Sequence, residues 1–144
     1  MEESLKSQGA HQDLRAMDGE HRLQIALLQA FRESVREGRD PVETARILEQ
    51  ADEFTRAHFM SEQLLMRLYD YPQYQKHVDE HDRMVEDLES LGTQFRSGDQ
   101  KLAASTAEAV VAWLVGHVQR SDRDVAQYLG LISEGHNPGD PFVG

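Results

Sequence analysis

The chain has 144 residues and no cysteine, and its 15 Lys and Arg against 26 Asp and Glu give a formal net charge of −11. This length suits one domain, and the lack of cysteine excludes disulfides and thiolate metal sites. No basic run is present to neutralise phosphates, so we expect no nucleic-acid or anionic-membrane partner. No apolar stretch approaches the roughly 20 residues of a membrane-spanning helix, and the N-terminus lacks the apolar core of a signal peptide, so we expect a soluble cytoplasmic protein.

Four long stretches are nearly free of the proline and glycine residues that interrupt helices. The predicted helices run from about Asp18 to Glu37, from Asp40-Pro41 to Tyr69, from Tyr71-Pro72 to Arg96, and from Asp99 to Ser121. No segment alternates with the period of two that is typical of strands, and short connections favour antiparallel neighbours. The sequence predicts an all-α, up-down-up-down four-helix bundle over residues 17–133, with an N-terminal arm at 1–16 and a short C-terminal extension whose residues 134–144 form a flexible tail.

Each predicted helix carries a histidine in line with its apolar face. His21 lies near the start of the first helix, His58 and Glu62 toward the end of the second, His77 and His81 at the start of the third, and His117 at the end of the fourth. In an antiparallel bundle these ends are neighbours, so the side chains converge near the turn at Tyr71-Pro72. Burying them costs on the order of several kcal/mol unless each finds a partner. A metal ion is the partner that satisfies all of them together.

Each of these residues also has an ordinary structural interpretation. A lone core histidine such as His21 is more often a packing residue, and His58-x-x-x-Glu62 is a common i,i+4 pair. His77-x-x-x-His81 is a stronger signal, because two imidazoles one turn apart can hold one metal ion. Their occurrence together at matching heights favours a metal site. The remaining histidines, His11 and His136, lie in the arm and the tail and are interpreted as solvated residues.

At these residues the chain resembles the hemerythrin family, and its bacterial single-domain members in particular, over about residues 15–125. The matching positions are Asp18-x-x-His21, His58-Phe59-x-x-Glu62, Met66, Tyr71-Pro72, His77-x-x-x-His81, Trp113-Leu114-x-x-His117 and His117-x-x-x-x-Asp122. The resemblance implies two non-haem iron ions bridged by oxide or hydroxide. It assigns His77, His81 and His117 to one iron, assigns His21 and His58 to the other, and makes Glu62 and Asp122 the bridging carboxylates.

Asp122 needs a local departure from regular helix. It follows His117 by five residues, which is roughly 140° around an α-helix. We therefore expect the helix to unwind, bulge or end near Ser121.

The ligand count points to gas binding. Two six-coordinate iron ions have about twelve coordination positions, and the imidazoles, the bridging carboxylates and a bridging oxygen leave about one of them open. By the resemblance this position is on the two-histidine iron, where dioxygen would bind in a pocket lined by Gln24, Leu28, Trp113, Leu114 and Val118. Azide, peroxide and nitric oxide would be related ligands. We expect oxygen binding, storage, delivery or sensing rather than catalysis; the alternative is a di-iron oxidoreductase or sensor acting on peroxide or nitric oxide. No protein partner is assigned.

Three positions depart from the family pattern. Gln24 replaces a common leucine, Gln63 replaces a frequent glutamate, and the N-terminal arm lacks a frequent tryptophan. Gln24 could line the pocket or turn aside to bond a neighbouring helix.

Two other protein classes remain as alternatives. A ferritin-like di-iron oxidase uses Glu-x-x-His, and no histidine here has glutamate three residues before it. A metal-free helical interaction module would contain the same histidines for packing.

Overall fold

Helices account for nearly all of the computed structural model, which describes residues 2–133 except the side chains of 2–8, 10–12, 14 and 131–133. The elements are α1 (Glu2–Arg36), α2 (Pro41–Leu68), α3 (Tyr74–Arg96), α4 (Gln100–His117), a π-helical turn (Val118–Asp122) and α5 (Arg123–Ser133). Each long helix packs against the next, and α4 returns to α1. The all-α four-helix bundle is thus confirmed, and none of the helices between residues 2 and 133 has the length and apolar character to cross a bilayer.

Two of the predicted helix starts are capped by aspartate. The Asp40 side chain accepts a hydrogen bond from the Val42 backbone N–H at 3.2 Å, and Pro41 occupies the first helical position. The Asp99 side chain accepts one from the Leu102 N–H at 3.0 Å. These bonds satisfy backbone donors that a helix start leaves unpaired, which fixes where α2 and α4 begin.

The predicted start of the first helix at Asp18 is wrong, because the backbone is helical from Glu2 onward. A contact far along the chain supports this extension: the Tyr69 hydroxyl donates to the Asp13 carboxylate at 3.1 Å. The helix also continues beyond Ser121 into α5, which packs against α1. The division into arm, bundle and tail stays a prediction, since residues 134–144, including His136, lie outside the described residues, as does the side chain of His11.

The apolar core is divided into two clusters. The larger one contains Leu28, Phe31, Phe59, Leu91 and Leu114, among others. The smaller one consists of Met17, Met66, Tyr69, Tyr71, Val125 and Leu129. His21 on α1 falls between Met17 of the smaller cluster and Leu28 of the larger one, and Glu62 on α2 falls between Phe59 and Met66 in the same way. The candidate site is therefore covered by apolar side chains on both sides, and α1 and α5 supply part of the outer cover.

Candidate metal centre

All seven candidate ligands are buried between the two apolar clusters, and none is more than 6% exposed. Their ligand atoms form two overlapping groups, each with all atoms within 4.8 Å of one another. The first group is Glu62, His77, His81, His117 and Asp122, and the second is His21, His58 and Glu62. Glu62 belongs to both groups. Asp122 also faces both, because its carboxylate oxygens lie 3.1 Å from His117 Nε2 and 3.1 Å from His21 Nε2.

The π-helical turn brings Asp122 into this cluster. In a π-helix, residues five apart stack along one face, whereas in an α-helix Asp122 would be turned roughly 140° from His117. The turn begins directly after His117 and ends at Asp122, whose side chain is 3% exposed. The expected departure from regular helix near Ser121 is confirmed.

Two imidazoles present lone pairs to carboxylate oxygens. His117 Nδ1 donates to Glu80 Oε2 at 2.8 Å, and His81 Nδ1 donates to Gln63 Oε1 at 3.0 Å. A neutral imidazole carries one N–H, so both Nε2 atoms are acceptors. They nevertheless face Asp122 Oδ1 and Glu62 Oε1, each at 3.1 Å, and neither Nε2 forms a hydrogen bond with any described residue.

This spacing fits a shared cation. Acceptors facing acceptors in a buried site are unfavourable unless a proton or metal ion lies between them. Two ligands at right angles, each about 2.1 Å from a metal ion, are about 3.0 Å apart. The donor set of imidazoles and carboxylates suits iron and other transition metals. The residues present therefore fit the metal centre that the sequence predicts.

Without a metal ion, the positive charge of the cluster would come from protons on its imidazoles. Burial lowers the pKa of His21 and His77, but Asp122 and Glu62 outweigh burial and raise these pKa values to about 10 and about 9. Burial opposes ionisation of the carboxyls, yet the imidazoles in contact with them hold the pKa of Asp122 at about 2 and that of Glu62 well below its usual range. Burial lowers the pKa of His81. The site thus requires positive charge, either as protons or as metal.

A set of outer residues orients the candidate ligands; the sequence analysis names Phe59 and Gln63 without this role and misses Glu20 and Glu80. Glu20 Oε1 lies 3.5 Å from His58 Nδ1. Phe59 stacks on His81, with ring centroids 3.8 Å apart, and Gln63 and Glu80 accept from His81 and His117. Each of these residues is next in sequence to one ligand and contacts a ligand on another helix. Their position next to a candidate ligand in the sequence is the signal that could have identified them.

The residues expected to line the oxygen pocket fall in different places. Leu28 and Leu114 are fully buried, and Val118 is half-buried against the larger cluster. Trp113 stacks on His117 with centroids 4.8 Å apart, so it stands beside the three-histidine group. Gln24 is buried and its Nε2 donates to Thr55 Oγ1 at 3.3 Å, while its Oε1 has no hydrogen-bond partner among the described residues. Their role as a pocket stays a prediction.

Comparison with known proteins agrees with this geometry. The chain is 28% identical to the bacteriohemerythrin of Methylococcus capsulatus over 81 residues, which are 56% of this chain and 62% of that protein. It is 27% identical to the bacteriohemerythrin of Aquifex aeolicus over 116 residues, or 79% of this chain and 88% of the relative. No solved structure matches the chain significantly. The family described as Hemerythrin HHE cation binding domain matches residues 12–129. With most of its length covered by that match, the chain belongs to the hemerythrin family.

Proposed function

We propose that this protein binds dioxygen reversibly at a di-iron centre. His77, His81 and His117 would hold one iron ion, His21 and His58 would hold the other, and Glu62 and Asp122, which face both groups, would supply carboxylates to both ions. The observation that carries the proposal is the buried pair of imidazole lone pairs facing carboxylate oxygens at 3.1 Å. The iron pair, when bound, supplies the two electrons that dioxygen takes up and returns.

The apolar surroundings favour binding over turnover. Leu28 and Leu114 are fully buried, and the cluster of Met17, Tyr71 and Leu129 covers the opposite side. Excluding water slows proton delivery and therefore the loss of bound oxygen as peroxide. The gas would have room beside the two-histidine iron, because His21, His58 and Glu62 offer fewer ligands than the five residues of the first group. Storage, delivery and sensing of oxygen are all compatible with such a pocket, and a cytoplasmic location is part of the proposal.

Gln24 supports a second candidate function, turnover or sensing of peroxide or nitric oxide. Its Oε1 is buried without a hydrogen-bond partner among the described residues. Gln24 is also one helical turn from His21, just as its partner Thr55 is one turn from His58. An unpaired acceptor at this place can take a hydrogen bond from water or from a protonated small ligand. Water held there would supply protons and hasten loss of bound oxygen as peroxide, whereas a hydrogen bond from a protonated ligand would hold that ligand in the site.

One experiment separates the two functions. The iron-loaded protein is reduced without oxygen, exposed to air and then degassed, while its visible absorption is followed. A coloured state that appears in air and disappears on degassing supports reversible oxygen binding. A rapid one-way change to the ferric form contradicts reversible binding and favours the second function, sensing or turnover of peroxide or nitric oxide.

A further inference from the structure

Glu80 connects three structural elements through one oxygen atom. It lies on α3, and its Oε2 accepts hydrogen bonds from His117 Nδ1 at 2.8 Å and from Ser121 Oγ at 2.6 Å. His117 is the last residue of α4, and Ser121 is in the π-helical turn. A single carboxylate thereby ties α3 to both the end of α4 and the turn that follows it.

The carboxylate is directed inward although cations line the same cleft. Lys76 and Arg83 stand four residues before and three residues after Glu80 on α3, which is the spacing of helical ion pairs. Together with Arg120 they line a cleft that also contains Glu80. Among the described residues, however, His117 is the partner within ion-pair distance of Glu80. The side chain of Glu80 is 29% exposed, so it is not sealed from the cleft that those cations line.

These two hydrogen bonds act on two candidate ligands. The bond from Nδ1 fixes the tautomer of His117 and turns its Nε2 toward Asp122. The bond from Ser121 holds the residue directly before Asp122, within the π-helical turn. A hydrogen bond from a ligating histidine to a carboxylate also increases the basicity of the imidazole. His81 has the neutral amide of Gln63 in the equivalent place, so the two histidines of the same group are supported differently.

We propose that Glu80 and Ser121 form a positioning pair that sets the ring of His117 and the π-helical turn, so that His117 and Asp122 reach the same metal ion. The pair contacts no substrate and acts through these two ligands. This inference rests on the proposed function for its iron readout, but the hydrogen bonds themselves exist without metal.

Three variants and one control test the pair. Glu80→Ala removes both hydrogen bonds, Glu80→Gln keeps the shape and an acceptor oxygen, and Ser121→Ala removes one hydroxyl. The control is Glu86→Gln, an exposed charge change on the same helix. The readouts are the rate of iron release to a ferrous chelator, the His117 ring nitrogen chemical shifts in the iron-free protein, and hydrogen exchange of the π-turn amides.

We expect Glu80→Ala to lose iron about 10- to 100-fold faster than the parent, with smaller effects for Glu80→Gln and Ser121→Ala and none for the control. In the iron-free protein, Glu80→Ala should shift the His117 tautomer, and Ser121→Ala should speed exchange in the turn. Iron release within twofold of the parent, with unchanged ring shifts in both Glu80 variants, would overturn the proposal. A parent protein that binds no iron would overturn the proposed function, while the ring shifts and the exchange rates would still decide the role of Glu80.

Discussion

Phe59 lies flat against His81, with ring centroids 3.8 Å apart and ring planes inclined by 6°. Phe59 is adjacent to His58 on α2, whereas His81 belongs to α3. The stack therefore fixes the orientation of a ligand in the three-histidine group from the helix that also carries His58 and Glu62. Aromatic stacking of this kind contributes about 0.5–1.5 kcal/mol beyond the burial of apolar area.

Phe59→Leu should lower stability and also speed iron loss, because leucine fills part of the volume but cannot stack on His81. We expect a loss of about 1 kcal/mol in the free energy of unfolding, measured by urea titration. Phe31→Leu is the matched control: Phe31 is fully buried and meets Phe95 edge to face at 5.5 Å in the larger cluster. It should cost similar stability and leave iron retention unchanged. Equal iron loss in the two variants would argue that Phe59 is only a core residue.

Asp122→Asn should reduce the iron content well below that of the parent. Asparagine keeps the size of the side chain but replaces the carboxylate, whose pKa the surrounding imidazoles hold at about 2 against the opposing effect of burial, with a neutral and weaker ligand. Asp124→Asn, an exposed change two residues further on, is the control. Elemental analysis of both purified variants is the measurement, and an Asp122→Asn protein with full iron content would rule out a bridging carboxylate at this position.

Gln24→Leu should slow autoxidation and weaken azide binding to the ferric form. Leucine removes the whole amide: without the unpaired Oε1 the pocket holds water less well, and without Nε2 no amide N–H can donate to azide. Thr55→Val is the comparison variant, because it removes the Gln24 partner at 3.3 Å and leaves the amide in place. We expect Thr55→Val not to slow autoxidation. If Gln24→Leu changes neither the autoxidation rate nor the azide affinity, Gln24 is a packing residue.

The metal-free protein should lose stability as pH rises from about 6.5 to about 10. Burial disfavours protonated His21 and His77, but Asp122 and Glu62 raise their folded-state pKa values from 6.5 to about 10 and about 9. Their contribution is thus complete below about pH 6.5 and is lost as pH rises through those values. The lowered pKa of Asp122 works in the opposite sense, and its contribution is lost as pH falls from about 3.8 toward about 2.

Urea midpoints of metal-free protein at pH 6.5 and pH 10 test this directly. Tyr71, whose pKa burial and nearby carboxylates raise to about 12, stays neutral over this window. His21→Gln should show a smaller fall in midpoint than the parent. Iron-loaded protein should show little fall, because the metal ion replaces the protons as the source of positive charge. A midpoint that rises toward pH 10 in the metal-free parent would be inconsistent with these pKa values.

The central part of the fold could be predicted from the sequence because its signals are local. Asp40-Pro41 and Asp99 mark helix starts by capping chemistry, and polar residues such as His77 and His81 stand out on an apolar face. The departure of the helix before Asp122 followed from its five-residue spacing from His117, once the family resemblance had made Asp122 a candidate ligand. Apart from that resemblance, each of these inferences needs only a short segment of chain and the geometry of a helix.

The parts that sequence reasoning missed depend on contacts between distant segments. The early start of α1 is supported by Tyr69 donating to Asp13, a contact 56 residues apart. Glu20 and Glu80 lie on half-buried helix faces, where glutamate is ordinary in composition. Only the packing of neighbouring helices shows that each faces an imidazole across the bundle.

Metal analysis of the protein purified from iron-replete cells tests the central claim most directly. The account predicts two iron ions per chain, held by the seven buried residues of the candidate metal centre. His117→Ala should lower that number, since it removes a ligand from the three-histidine group. Zinc alone, or no metal in a folded protein, would contradict the account.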